Sequence, residues 1–284
     1  MDPGDKPRDD TDGASVGVVL VKSASRPPMI TRPEALRRML PATMMFIGFV
    51  AVWQLAVSGL GVREYLLPSP LAVLQAMGPG EIPWSKHIWI TAVEIVGAFL
   101  IAALAGVLLG AAIAWSQGVS RALTPFLVFV NTLPKVAIAP LFLIWLGYGI
   151  LPNMLIGALI GFFPVVINTA VGLTQIEQDM LDLGRVFNAP NWKVFAKIRM
   201  PNAYPYILSA LKVTATSAVV GAVVGEFVAS QAGLGYVIIT TQSSMNTPVA
   251  FAALAWISIL GLLLFGAVGL MSRVLAPWAE VLDR

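Results

Sequence analysis

Four ionisable residues stand inside otherwise apolar stretches of this chain: Glu94, Lys135, Lys212 and Glu226. A charge surrounded by hydrocarbon is costly, so each marks a place where a side chain faces a cavity, another helix or a solute. The chemistry they offer is binding and gating rather than bond making. There is no cysteine and a single histidine, His87, which leaves no thiolate and no imidazole set for a metal centre. No nucleophile with a base and no paired carboxylates gather near one membrane face, so an enzyme active site is not expected. Glu226, in VVGEFVASQAGLG, sits deep in its stretch before a glycine-rich end and is the preferred path or gate residue, with a helix-to-helix hydrogen bond as its plainer role. Lys135 follows Pro134, which withholds a backbone donor, so the irregular backbone there should face protein or a cavity. Glu94 lies near the start of its stretch and reaches either the path or water, while Lys212 can snorkel back to a polar flank. Asn131, Thr132, Asn168, Thr169 and Gln231 are polar neighbours that either line the same cavity or tie helices together. His87, between Trp84 and Trp89, reads as an interfacial anchor.

A second chemistry, docking, is written in residues 182–201, DLGRVFNAPNWKVFAKIRMP, an amphipathic basic interruption between apolar stretches. A short helix is expected over 178–187, with Glu177, Asp179 and Asp182 towards its start and Arg185 near its end, as the helix dipole prefers. Asn188 sits where a left-handed residue would end it, and Ala189 and Pro190 prevent smooth continuation. Asn191 can cap a second helix over 192–199 that stops before Pro201. Trp192, Phe195 and Ile198 form one apolar edge at helical spacing, leaving Lys193, Lys197 and Arg199 to water or an acidic partner. The plainer alternative is a loop lying on lipid headgroups.

These residues must be positioned by membrane-spanning helices. Hydrophobic residues make up 57% of the 284 and charged residues only 12%, more apolar surface than one soluble core can hide. Residues 40–60, 96–115, 154–173 and 249–270 carry no charge and are each long enough to cross about 30 Å of hydrocarbon. Residues 122–146 and 204–228 are as long but hold prolines and ionisable groups, which makes about six spans in an all-α membrane protein. Residues 1–38 are a polar tail without apolar periodicity, expected to be disordered, and the membrane domain occupies 39–284. Lys6, Arg8, Lys22, Arg26, Arg32, Arg37 and Arg38 in the tail, and the basic residues of 182–201, fall on one side of a six-span chain; the other side keeps Arg63 and Lys86. The positive-inside rule makes the first side, and both termini, cytoplasmic. The net charge of +3 reflects this orientation and not a nucleic-acid face.

The 182–201 segment resembles the coupling motif of permease subunits of binding-protein-dependent ABC importers, E-A-A-x3-G-x9-I-x-L-P. Asp182 stands at its Glu, Leu183 and Gly184 at its two Ala, Asn188 at its Gly, Ile198 at its Ile, Met200 at its Leu and Pro201 at its Pro. Similarity extends to LPSP at 67–70, to Pro134 and Pro140, to Phe163-Pro164 with Asn168 and Thr169, and to Gly233-Leu234-Gly235 after Glu226. These are features of the branch of nitrate, sulfonate, taurine, riboflavin and thiamine-precursor permeases.

The resemblance implies a type I, MetI-like fold with a cytoplasmic coupling helix within 177–201, where Asp182, Leu183, Gly184, Arg185, Asn188, Ala189, Trp192, Ile198 and Pro201 meet the ATPase. It implies two permease copies, expected to be a homodimer, in a prokaryotic inner membrane with its lipids, two ATPase subunits and a periplasmic or lipid-anchored binding protein. No GxxxxGK[ST] loop occurs, so ATP and Mg belong to the partner and this chain holds no cofactor. GEFVASQAGLGYVI and NTPVAFAAL are similar to permeases for riboflavin, thiamine-pyrimidine precursors and related heterocycles; nitrate, aliphatic sulfonate or taurine import is the alternative. An ATP-independent secondary transporter would also carry intramembrane Lys and Glu on broken helices, but no inverted repeat joins the two halves.

Overall fold

The computed structural model describes residues 32–275 apart from Glu81, and the described residues contain helices and no strand. The chain divides into two compact units after Phe49. The described part of the first is the opening of α1 (Arg32–Gly59), which contains Pro41 and exposes Met44, Met45, Phe46 and Ile47. Most of the expected tail lies outside the described residues, and α1 begins within its last stretch, at Arg32.

In the second unit the chain continues into α2 (Pro70–Ala76), α3 (Trp84–Trp115), α4 (Gln117–Thr132), α5 (Lys135–Leu146) and α6 (Ile150–Thr174). Next come α7 (Gln178–Val186), α8 (Asn191–Val194), a π-turn over Phe195–Arg199, α9 (Met200–Ala229), α10 (Leu234–Ser243) and α11 (Thr247–Leu275). The LPSP stretch starts α2 as its chemistry dictates: Ser69 caps the helix by accepting from Ala72 N at 3.2 Å, and Pro70 opens the first turn, where no backbone donor is needed.

The core is three helices packed side by side, with α6 between α3 and α9. Small residues recur every fourth position on the facing stripes: Ala98, Ala102, Gly106 and Gly110 on α3, and Gly157 and Gly161 on α6. A Cβ at Gly221 of α9 would run into the Gly157 backbone, and Cβ atoms at Gly106 and Gly110 would run into Val165 and Thr169. Such stripes let backbones approach until Thr214 Oγ1 donates to Gly161 O at 2.9 Å, satisfying a polar group inside the bundle. A smaller apolar cluster joins α2, α10 and α11 through Val73, Leu234, Val237, Ile238, Ala253 and Ile257.

Four described helices are long and apolar enough to cross a membrane: Trp84–Trp115, Ile150–Thr174, Asn191–Val228 and Thr247–Leu275. Three expectations about the helices need correction. Residues 122–146 do not form one span: the chain breaks at Leu133 and Pro134, and α4 and α5 meet at 94°. Leu133 is extended (φ −65°, ψ 137°), as the residue before proline prefers. Counted as one broken span, the pair makes five; the apolar part of α1, Thr43–Gly59, is shorter than the others.

The second correction concerns the helix expected to stop before Pro201. It runs on without a break, through the π-turn and Pro201 into α9. In the π-turn Met200 N bonds to Phe195 O, one residue further back than in an α-helix. This shift falls immediately before the proline, where the α pattern would have lost a bond anyway, so the bulge absorbs the interruption. Nor does Asn191 cap this helix: Pro190 is the capping residue, extended at ψ 148°, and Asn191 is the first helical position.

Candidate coupling segment and buried carboxyl cluster

Glu177 and Phe187 flank α7, close to the expected limits. Asn188 takes the left-handed conformation at φ 46°, as the sequence predicts. Around it Ala189 N bonds to Gly184 O at 3.0 Å and Asn188 N to Arg185 O at 2.9 Å, the paired bonds of a Schellman cap. The chain then turns at Pro190 and starts α8. Gly184 is buried in the corner, where a Cβ would touch Val194 and Ile198, so this position tolerates only a small residue. Outside the corner Leu183, Val186, Phe187 and Trp192 are exposed, Val186 to 77% and Phe187 to 74%. Asp182 and Arg185 form a 2.7 Å ion pair in the open, which adds little stability there. Ala189, Ile198 and Pro201 are half-buried.

The corner is fixed to the core by residues the sequence did not single out for this role. Asn202 Nδ2 donates to Gly172 O and Gln175 O, each at 2.8 Å, and Arg199 Nη1 donates to Leu173 O at 3.3 Å. These carbonyls close α6, whose last turn has no intrahelical donors for them. The start of the α9 span thus caps the end of α6, and the segment between them is tied at both ends.

At the opposite end of α9 lies a buried polar cluster. His87, Thr91 and Glu94 share one face of α3 and are buried, as is Glu226 of α9. Three backbone amides at the start of α10 are held by side chains of other helices. Gly233 N donates to His87 Nδ1 at 3.0 Å, Leu234 N to Thr91 Oγ1 at 2.8 Å, and Gly235 N to Glu226 Oε2. Thr91 Oγ1 in turn donates to Glu226 Oε1 at 2.5 Å. A carboxylate facing the amide end of a helix is favoured by the helix dipole as well as by the hydrogen bond. Gly233 has φ 115°, and a Cβ there or at Gly235 would strike the Glu226 carboxyl, which is why the turn reads Gly-Leu-Gly. Asn153 of α6 completes the cluster: its Nδ2 donates to Glu94 Oε1 at 2.9 Å and to Ser230 Oγ at 2.7 Å. The carboxyl groups of Glu94 and Glu226 lie within hydrogen-bonding reach of each other.

Of the residues singled out in the sequence, Glu94, Glu226 and Gln231 are therefore at this end, Gln231 on an exposed rim beside Glu94. Lys135 stands apart, donating to Asn131 Oδ1 at 2.7 Å across the break between α4 and α5, where Thr132 bonds to Phe129 O. Asn168 donates to Pro164 O at 2.9 Å and Thr169 is buried against Gly110, both on α6 about 23 Å along the helix from Asn153. His87 is not an interfacial anchor. Its ring is buried, stacked on Tyr236, and held by Gly233 N, while Trp89 keeps the exposed position. Thr91, Asn153 and Ser230 were missed. The spacing of His87, Thr91 and Glu94, one polar stripe on an apolar helix, was the available signal.

Residues 102–279 match the family described as the binding-protein-dependent transport system inner membrane component. The chain belongs to that family. This ABC permease is 31% identical over 242 residues to the formylaminopyrimidine transport permease protein of Halalkalibacterium halodurans, covering 85% of this chain and 96% of that one. It is 33% identical over 243 residues to the riboflavin transport system permease protein of Chloroflexus aurantiacus, covering 84% and 89%. Permeases named for aliphatic sulfonates and for nitrate also match the permease. Its fold is similar to that of a chain in an inward-facing structure of the MetNI methionine ABC transporter, with a TM-score of 0.57 at 16% identity over 73% of this chain and 98% of that one. Membership implies ATPase and substrate-binding partners for this permease.

Proposed function

We propose that this permease, as a homodimer in the prokaryotic inner membrane with both termini cytoplasmic, imports a small aromatic or heterocyclic solute, driven by ATP and Mg at separate subunits that dock on residues 177–201. The observation that carries this reading is the corner at Asn188. It displays Val186, Phe187 and Trp192 to the outside while Gly184 packs against Val194 and Ile198 within it and Arg199 and Asn202 tie it to the end of α6. Exposed apolar groups beside fixed basic ones suit a partner groove, and a rigid corner passes that partner's motion to the bundle. The solute arrives at the other end, released by the binding protein beside Glu94 and Glu226. Relatives named for formylaminopyrimidine and riboflavin support a heterocyclic solute.

The test is purification of the tagged chain from its native membrane, with mass spectrometry and stoichiometry of what remains bound, followed by uptake in proteoliposomes. An ATPase at parity with this chain and ATP-dependent uptake of a pyrimidine or flavin are the expected results. Uptake of nitrate, an alkylsulfonate or taurine instead would replace the solute class. A chain that purifies alone and transports without ATP would overturn the coupling.

A further inference from the structure

The two buried carboxyl groups are unequally provided for. Glu226 has a donor at each oxygen, Thr91 Oγ1 at Oε1 and Gly235 N at Oε2, and it faces the amide end of α10. Glu94 accepts from Asn153 Nδ2 at Oε1, but its Oε2 meets no donor among the described residues, although the residue is only 1% exposed. The two carboxyl groups lie within hydrogen-bonding reach of each other. Were both ionised, two like charges would stand together inside the bundle with no proton between them. Nothing basic offsets them. Among the described residues no salt bridge reaches either group, and His87, which accepts from Gly233 N at Nδ1, is a neutral imidazole. Tyr236 of α10 lies against that ring, Lys86 next to it on α3 is exposed, and Tyr148 stands on the exposed rim beside Glu94. From α6, which has no titratable side chain, comes only the amide of Asn153. Nor do three His, Asp or Glu side chains gather as a metal set among the described residues.

We infer that Glu94 and Glu226 form a proton-binding site: one proton resides on Glu94 Oε2 and is donated to the Glu226 carboxylate, fastening α3 to α9. Each Glu226 oxygen keeps a lone pair for it after accepting from Thr91 or Gly235. The reverse placement is worse. A proton on Glu226 would weaken its acceptance from Thr91 and Gly235 and give up the charge that the amide end of α10 favours. The site goes beyond the transport reading and holds whichever solute is carried. Its proton is a ligand of one arrangement of the helices, the one in which α3 and α9 adjoin here. Once they part and water enters, Glu94 loses its acceptor and ionises at neutral pH as an ordinary glutamate does. Alkaline solution therefore favours their separation.

The test is infrared spectroscopy of the purified full-length chain at neutral pH, in H2O and in D2O. The wild type is expected to show the carbonyl stretch of an un-ionised carboxyl, displaced in D2O, and Glu94→Gln to lack it. No such band in the wild type, or one that survives Glu94→Gln, would overturn the site; the wild-type spectrum decides even where the variant does not fold. A second readout is the thermal midpoint in detergent between about pH 7 and about pH 9. Over that range the native chain holds a proton that the unfolded chain has released, so this proton's contribution to stability falls as the pH rises. In Glu94→Gln the amide keeps a donor towards Glu226 and does not titrate. The wild-type midpoint should therefore fall further than that of Glu94→Gln, by about 5 °C over the range. Parallel curves for the two proteins would refute a proton bond between α3 and α9.

Discussion

Thr91 is the pivot of the buried cluster, since one hydroxyl accepts from Leu234 N and donates to Glu226 Oε1. Thr91→Val keeps the shape and removes both bonds, leaving a buried amide and a buried carboxyl oxygen each short of a partner. A loss of about 1–3 kcal/mol is expected, read as a lower thermal midpoint in detergent, with Thr91→Ser close to wild type. At the other end Asn188→Gly should be neutral, because the left-handed backbone is all that position requires, whereas Asn188→Val places a branched side chain where φ is 46° and costs about 1–2 kcal/mol locally. On the docking reading, Asn188→Val and Asp182→Arg leave the helices folded and separate ATP hydrolysis from uptake; normally coupled transport in both would refute it. Residue identity made Asn188 and Glu226 legible in the sequence, one as a helix stop and one as a charge in an apolar run. It did not reveal that Glu226 caps α10, because its partners Thr91 and Gly235 come from different parts of the chain.

Among the elements, α9 departs most from what local sequence suggests. Pro201 after a basic stretch reads as a stop, yet the helix carries on because the π-turn takes up the missing bond and because α6 is packed against it. Proline rules describe an isolated helix, and here tertiary packing overrides them. The corner helix was placed correctly because its signals, acidic start, basic end and left-handed stop, are all local. The small-residue stripes of α3 and α6 recur visibly along the chain, but no pattern in one helix reveals which residue faces it on another. Their role gives a sharp comparison. Gly221→Leu forces a side chain against the Gly157 backbone and should lower the thermal midpoint of the purified chain by several degrees, for a cost of about 1–3 kcal/mol or more. Gly266→Leu, with open space around the position, should leave it unchanged.

At the scale of the molecule, composition alone made the membrane class legible, and the placement of Lys and Arg carries the proposed orientation. What composition could not show was the 94° break between α4 and α5, which is made at Leu133 and Pro134 and not by hydropathy. The chain has no cysteine, so every introduced one is unique. Trp192→Cys should be labelled by a membrane-impermeant thiol reagent in inside-out vesicles only, and should be protected once the ATPase is bound; Lys86→Cys should show the reverse sidedness. Labelling of both from one face would refute the proposed topology. The capping of α10 has a consequence for motion on this scale. Because the amides of Gly233 and Leu234 are held by α3 and that of Gly235 by α9, α10 cannot stay with both helices if they part, and such a movement strands at least one buried donor. That end of the bundle thus resists the separation of α3 from α9 through a helix that belongs to neither.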